Sequence, residues 1–187
     1  ISNNMEILES MTDKLASRGP DSSGFYENEN IILGHRRLII VDAKGGAQPI
    51  TKQIGEHKFV LVYNGELYNT DDVRDELKAK GYRFESYSDT EVLLVSYIEW
   101  GPECVNHING IFAFGVWDEY NKTLFLARDH LGVKPLFYSY KDDNLIFASQ
   151  IKALLANPMA KPVIDEEGIM EIFGLGPARS LGSGIFK

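Results

Sequence analysis

The sequence predicts an α+β protein in which two antiparallel sheets stack on each other with helices outside. Two observations carry this expectation. Many short β-prone segments, separated by turn clusters, interleave with only a few helical stretches, which argues against a parallel βαβ array. The run Ile111-Phe112-Ala113-Phe114-Gly115-Val116-Trp117 is apolar at most positions, the pattern of a strand covered on both faces. At 187 residues and 44% hydrophobic composition, the chain is long enough to bury a sizeable core as one domain.

The elements follow in order. Ile7, Leu8, Met11 and Leu15 recur at helix spacing, predicting a helix over 5–16 with Asn3 or Asn4 as its cap. Strands are expected at 24–26, 31–33, 38–41 and 59–63. Residues 71–80 form a polar helix with Val73 and Leu77 on its buried side, ending at Gly81. Ser88-Asp89-Thr90-Glu91 has capping-box spacing and opens a second helix running through Trp100. Strands then fall at 111–117, 123–127, 136–140 and 145–148, and helices at 151–155 and 166–173. The stretch 174–187 is rich in Gly, Ser and Pro and reads as a chain cut before its next element.

Composition narrows the function. Nineteen basic against 27 acidic residues give a net charge of −8, which disfavours a nucleic-acid partner. No apolar stretch approaches membrane-spanning length, and no signal-peptide pattern opens the chain. A single cysteine, Cys104, excludes an internal disulfide framework and fits a reducing compartment, so a cytoplasmic protein is expected. Cys104 and His107 lack the further ligands of a metal site, so no metal is expected, and Gly-rich phosphate loops are absent.

The most informative passage is Phe59-Val60-Leu61-Val62-Tyr63-Asn64-Gly65-Glu66-Leu67-Tyr68-Asn69. Asn64-Gly65 after an apolar run suits a tight turn, because both residues tolerate positive φ. Such a turn can also offer an Asn side-chain amide and a Gly backbone N–H to the oxyanion of an attacked carbonyl. A site for a free amino acid amide further needs a guanidinium for the α-carboxylate and carboxylates for the α-ammonium. Arg37, and Asp89 with Glu66, are candidates for these roles. Each also has a plainer reading: Asn64-Gly65 as a hairpin turn, Asp89 as a helix N-terminal charge, Arg37 as a solvated edge charge.

Eight strings occur in register: Ser17-Arg18-Gly19-Pro20-Asp21, then His35 to Asp42, Gly46-Ala47-Gln48-Pro49, Tyr63 to Asn69, Ser88 to Glu91, Gly110 to Phe114, Arg128 to Leu136, and Phe147 to Leu154. With them the chain resembles the glutaminase domain of glutamine-hydrolysing asparagine synthetase, a class II glutamine amidotransferase. The resemblance implies a four-layer αββα sandwich of N-terminal-nucleophile hydrolase type, with two antiparallel sheets between helix layers. It implies that Arg37 binds the glutamine α-carboxylate and that Leu38, Ile39, Ile40 and Val41 line the pocket. Asn64 and Gly65 would form the oxyanion hole, and Glu66 and Asp89 would hold the α-ammonium. Its substrate would be glutamine, without a cofactor in this domain. ATP and magnesium would serve a C-terminal synthetase domain not contained in residues 1–187, reached by ammonia through an internal tunnel. A homodimer is implied as well.

The family's nucleophile is a cysteine at the first position of the mature chain, on a strand resembling Cys-Gly-Ile-Ala-Gly. Here the sequence starts at Ile1 with helical patterning, so this strand and its cysteine are expected upstream of Ile1. The rival expectation is a glutamine-binding or scaffold domain without a nucleophile, as in the related β-lactam synthetases. Gln150 stands where the family usually has Glu, and His130 where it often has Arg.

Overall fold

The computed structural model describes residues 3–39 and 46–175. The order is α1 (Asn3–Asp13), β1 (Ser22–Glu27), β2 (Ile32–Arg37), β3 (Ile50–Ile54), β4 (His57–Leu67), α2 (Thr70–Ala79), α3 (Asp89–Trp100), a 3₁₀ turn (Gly101–Asn106), β5 (Gly110–Asp118), β6 (Thr123–Arg128), β7 (Phe137–Lys141), β8 (Asn144–Ala148), α4 (Ile151–Leu154) and α5 (Glu166–Leu175). Strands β3-β4-β5-β6 form one antiparallel sheet, while β1–β2 and β7–β8 are separate antiparallel ribbons. None of the described helices is long and apolar enough to cross a membrane.

Strand alternation builds the core on both faces of β4 and β5. Phe59, Leu61, Phe112, Phe114 and Val116 pack with Leu93, Leu94 and Tyr97 of α3. On the opposite face Val60, Val62 and Trp117 meet Leu33 of β2. Each such side chain removed from water contributes roughly 1.5–3 kcal/mol. Helix α2 covers α3 through Val73 and Leu77 against Val92 and Val95. Close approaches fix the other layers. A Cβ on Gly34 of β2 would lie 2.6 Å from Thr12 Cγ2 of α1, and one on Gly115 would lie 3.3 Å from Phe147 of β8. Ala153 and Leu154 of α4 pack with Ala148 of β8. The layers are therefore α2 with α3, the four-stranded sheet, the two ribbons, and α1 with α4. This is the expected αββα order, with the second sheet layer present as ribbons among the described residues.

Four expectations change. The helix α1 begins at Asn3 among the described residues and ends at Asp13, so Asn4 is a helix residue and not a cap. The strand expected at 31–33 continues through Gly34-His35-Arg36-Arg37, whereas Leu38 and Ile39 are not strand and Ile40 and Val41 lie outside the described residues. The reason is Asp21: its N–H donates to the Arg37 carbonyl (3.1 Å) and its carboxylate accepts from Ile39 N–H (2.7 Å), so loop bonds end the ladder. Strand β3 had no apolar signal, because its residues are mostly exposed and its order comes from pairing with β4. The hairpin turn is at Gly55-Glu56, where Gly55 has φ +62°, and Asn64-Gly65 instead lies within β4, facing Ala113 and Phe112 of β5.

Candidate active site

The end of β4 has one margin without a strand partner among the described residues. β4 pairs with β5 as far as Leu67, opposite Gly110, but with β3 only as far as Leu61, opposite Ile50. Past Leu61, side chains take the place of a neighbouring strand. Tyr63 N–H donates to Gln48 Oε1 (2.6 Å), the Tyr63 carbonyl accepts from His35 Nε2 (3.1 Å), and Leu67 N–H donates to Asp89 Oδ2 (3.2 Å). Backbone groups repeat every second residue along a strand. The Gly65 N–H therefore points to this same margin, between two N–H groups that already have acceptors.

Gly65 is glycine for space and not for positive φ. A Cβ there would lie 2.4 Å from the Ile111 carbonyl oxygen, 2.5 Å from Tyr63 Cε2 and 2.9 Å from Phe112 Cα. Asn64 turns to the opposite face from the Tyr63 ring. There it lines a cavity of about 400 Å³ bounded by His35 of β2, Ala113 and Gly115 of β5, and Phe147 and Ser149 at β8.

Asp89 is the first residue of α3, which Ser88 caps by accepting from Glu91 N–H (3.3 Å). Glu91 anchors this corner. Its carboxylate pairs with Lys52 Nζ of β3 (2.8 Å) and accepts from the N–H groups of Glu85 and Ser86. Burial opposes ionisation of Glu91, but Lys52 and these donors outweigh it and hold the carboxyl below its usual range. Asp89 Oδ2 in turn accepts from the Tyr63 hydroxyl (2.9 Å). Burial, then the Asp89 charge, push the Tyr63 hydroxyl upward, with Glu66 adding to the effect. Glu66 itself is exposed.

Gly65 and Asp89 thus meet at one strand margin, and Asn64 and Glu66 flank Gly65 along β4. Arg37 is buried at the end of β2, two residues after His35, whose ring joins that margin. The Arg18-Gly19-Pro20-Asp21 segment frames Arg37: Gly19 lies so close that a Cβ would be 2.6 Å from Arg37 N. Leu38 and Ile39 follow, both exposed. Cys104 takes no part. It is fully buried against α3, and desolvation pushes its thiol up to about 12, so it stays a neutral packing group. His107 stacks on Trp100 with centroids 3.8 Å apart. Among the described residues no cluster of three or more His, Cys, Asp or Glu could hold a metal ion.

Tyr63, His35 and Gln48 were not singled out by sequence reasoning. All three lie inside the recurring strings, but their work is to bond a backbone whose exposure depends on where β3 stops. His35 carries a pH consequence. Burial lowers its pKa from 6.5 to about 4; the bond to Tyr63 opposes this and the Arg37 charge assists it. The folded state therefore binds this proton less readily than the unfolded one. Stability contributed by neutral His35 is present above about pH 6.5 and is lost as pH falls towards 4. Thermal unfolding across that window should show a loss of about 3 kcal/mol that His35→Gln abolishes. Parallel pH profiles for the two proteins would contradict it.

Among solved structures, the fold is similar to that of a glutamine amidotransferase. A glutamine PRPP amidotransferase from Bacillus subtilis, complexed with ADP and GMP, superposes with a TM-score of 0.66 at 19% identity, over 81% of this chain and 40% of its own. The chain belongs to the glutamine amidotransferase domain family, whose model matches residues 1–186. Asparagine synthetase [glutamine-hydrolyzing] 3 of Bacillus subtilis is 53% identical over 97% of this chain and 30% of its own length. Asparagine synthetase B [glutamine-hydrolyzing] of Escherichia coli is 44% identical over 74% of this chain and 24% of its own. The chain thus spans less than a third of the length of these relatives.

Proposed function

We propose that this chain is the glutaminase part of an enzyme that hydrolyses glutamine and supplies ammonia for asparagine synthesis from aspartate. The observation that carries the proposal is the Gly65 N–H beside Asn64 on the β4 margin, which has no strand partner and no acceptor for that N–H among the described residues. Two donors there suit the tetrahedral oxyanion of amide attack. Arg37 would hold the α-carboxylate, with Leu38, Ile39, Ile40 and Val41 along the pocket, and Glu66 and Asp89 would hold the α-ammonium.

The nucleophile would be a cysteine on a strand upstream of Ile1. The cavity that Asn64 lines supports this. It lies between β2 and β8, each of which pairs with one strand only among the described residues, and it would take one further extended strand. In the reaction the cysteine thiol passes its proton to the chain's own α-amino group as the sulfur attacks the glutamine side-chain carbonyl. The oxyanion collapses, the C–N bond breaks and ammonia leaves with that proton. Water then hydrolyses the γ-glutamyl thioester to glutamate and regenerates the thiol. Ammonia would pass to a C-terminal synthetase domain, which would use ATP and magnesium. A homodimer and a cytoplasmic location complete the proposal.

The test is glutamate release from glutamine by the full-length protein, with intact mass and N-terminal sequencing to identify its first residue. Arg37→Ala is expected to raise KM for glutamine by at least tenfold, the loss of a charge-assisted bidentate contact, with a smaller change in kcat. Unaltered glutamine affinity would remove Arg37 from the site. A first residue other than cysteine, with no glutamate formed, would favour a binding or scaffold domain.

A further inference from the structure

We infer that Tyr63 is a positioning residue that makes the site selective for substrates bearing an α-ammonium. This rests on the proposed role of Asp89. Two donors, the Tyr63 hydroxyl at 2.9 Å and the Leu67 N–H at 3.2 Å, converge on the same carboxylate oxygen, Asp89 Oδ2. Asp89 Oδ1 accepts no hydrogen bond among the described residues, and neither Asp89 nor Glu66 has an ion-pair partner among them. A carboxylate with one oxygen doubly bonded and the other free is fixed in rotation. Its open oxygen can then accept from a cation without the entropy loss of ordering a mobile side chain.

Tyr63 is suited to this task by its own constraints. It is 4% exposed, so its ring does not swing. Its N–H and carbonyl are fixed by Gln48 and His35, and its ring edge lies where a Cβ on Gly65 would be. One residue thereby ties the ammonium acceptor to the oxyanion strand. The hydroxyl can be removed without disturbing the ring, so its role is separable from packing.

The experiment compares L-glutamine with glutaric acid monoamide, which is glutamine without its α-amino group, in the full-length enzyme. Tyr63→Phe should lower kcat/KM for glutamine about tenfold, the effect of losing a hydrogen bond to a charged group, chiefly through KM. The monoamide should be hydrolysed as by the parent enzyme, and unfolding midpoints should match. Asp89→Asn should also penalise glutamine selectively, and adding Tyr63→Phe to it should cost glutamine nothing further. Equal losses on both substrates, no loss on either, or full additivity in the double variant would overturn the inference. If Asp89→Asn itself failed to discriminate the two substrates, the assignment of Asp89 would fall first, and the inference with it.

Discussion

Asn64→Ala is expected to lower kcat for glutamine hydrolysis by about two to three orders of magnitude while leaving KM nearly unchanged. The contact strengthens only as negative charge builds on the carbonyl oxygen. A ground-state amide oxygen is neutral and gains little from a second donor, whereas the tetrahedral oxyanion carries full charge in a site partly closed to water. An interaction made mainly in the transition state lowers kcat and kcat/KM together when removed. Asn64 is half-buried, faces the cavity and sits next to the Gly65 N–H, so its loss leaves one donor in place. The Gly65 amide sets the residual rate. Steady-state kinetics decide the matter: a change confined to KM would make Asn64 a binding group and refute its place in an oxyanion hole.

Gly65→Ala is expected to cost about 2–3 kcal/mol of stability, the upper part of the range for overpacking a well-packed site, and to reduce glutaminase activity more than tenfold. The added Cβ would meet two backbone atoms of β5, at 2.4 and 2.9 Å, and a buried ring at 2.5 Å. None is the free end of a flexible side chain, so β4 and β5 must part or the Tyr63 ring must shift. Either movement displaces the Gly65 N–H. Gly55→Ala is the control. No atom lies within 4 Å of a Cβ there, and only the φ of +62° opposes it, at roughly 1 kcal/mol. Urea unfolding of both variants should rank Gly65→Ala as the more damaging. Equal or reversed midpoints would mean that the strands adjust without penalty.

The two glycines also show where sequence reasoning stops. Only Asn64-Gly65 follows a strand-like run, and the Asn-Gly pair is the stronger turn signal by composition. The turn is nevertheless at Gly55, because β3 pairs back on β4 there, while Asn64-Gly65 continues the strand against β5. Nothing local separates a glycine needed for positive φ from one needed for close approach. Likewise the Asp89 charge reads as a helix N-terminal feature, and it is one. That it also receives the Tyr63 hydroxyl depends on how α3 lies across the sheet.

What the amino-acid order determined by itself was the class of fold and the cast of residues. A nearly unbroken apolar run specified β5 as a doubly covered strand, period-3.6 patterning and the Ser88 cap specified α2 and α3, and the eight strings in register specified the family. These are short-range signals, or signals of order along the chain. Tertiary structure alone decided which backbone groups remain unpaired. Because β3 starts only at Ile50, opposite Leu61, the margin of β4 beyond it has no strand partner among the described residues; Gln48 and His35 bond Tyr63 there, Asp89 bonds Leu67, and the Gly65 N–H is left between them. Hydrogen-bond exposure of this kind depends on where a distant strand stops, and no local pattern encodes that distance.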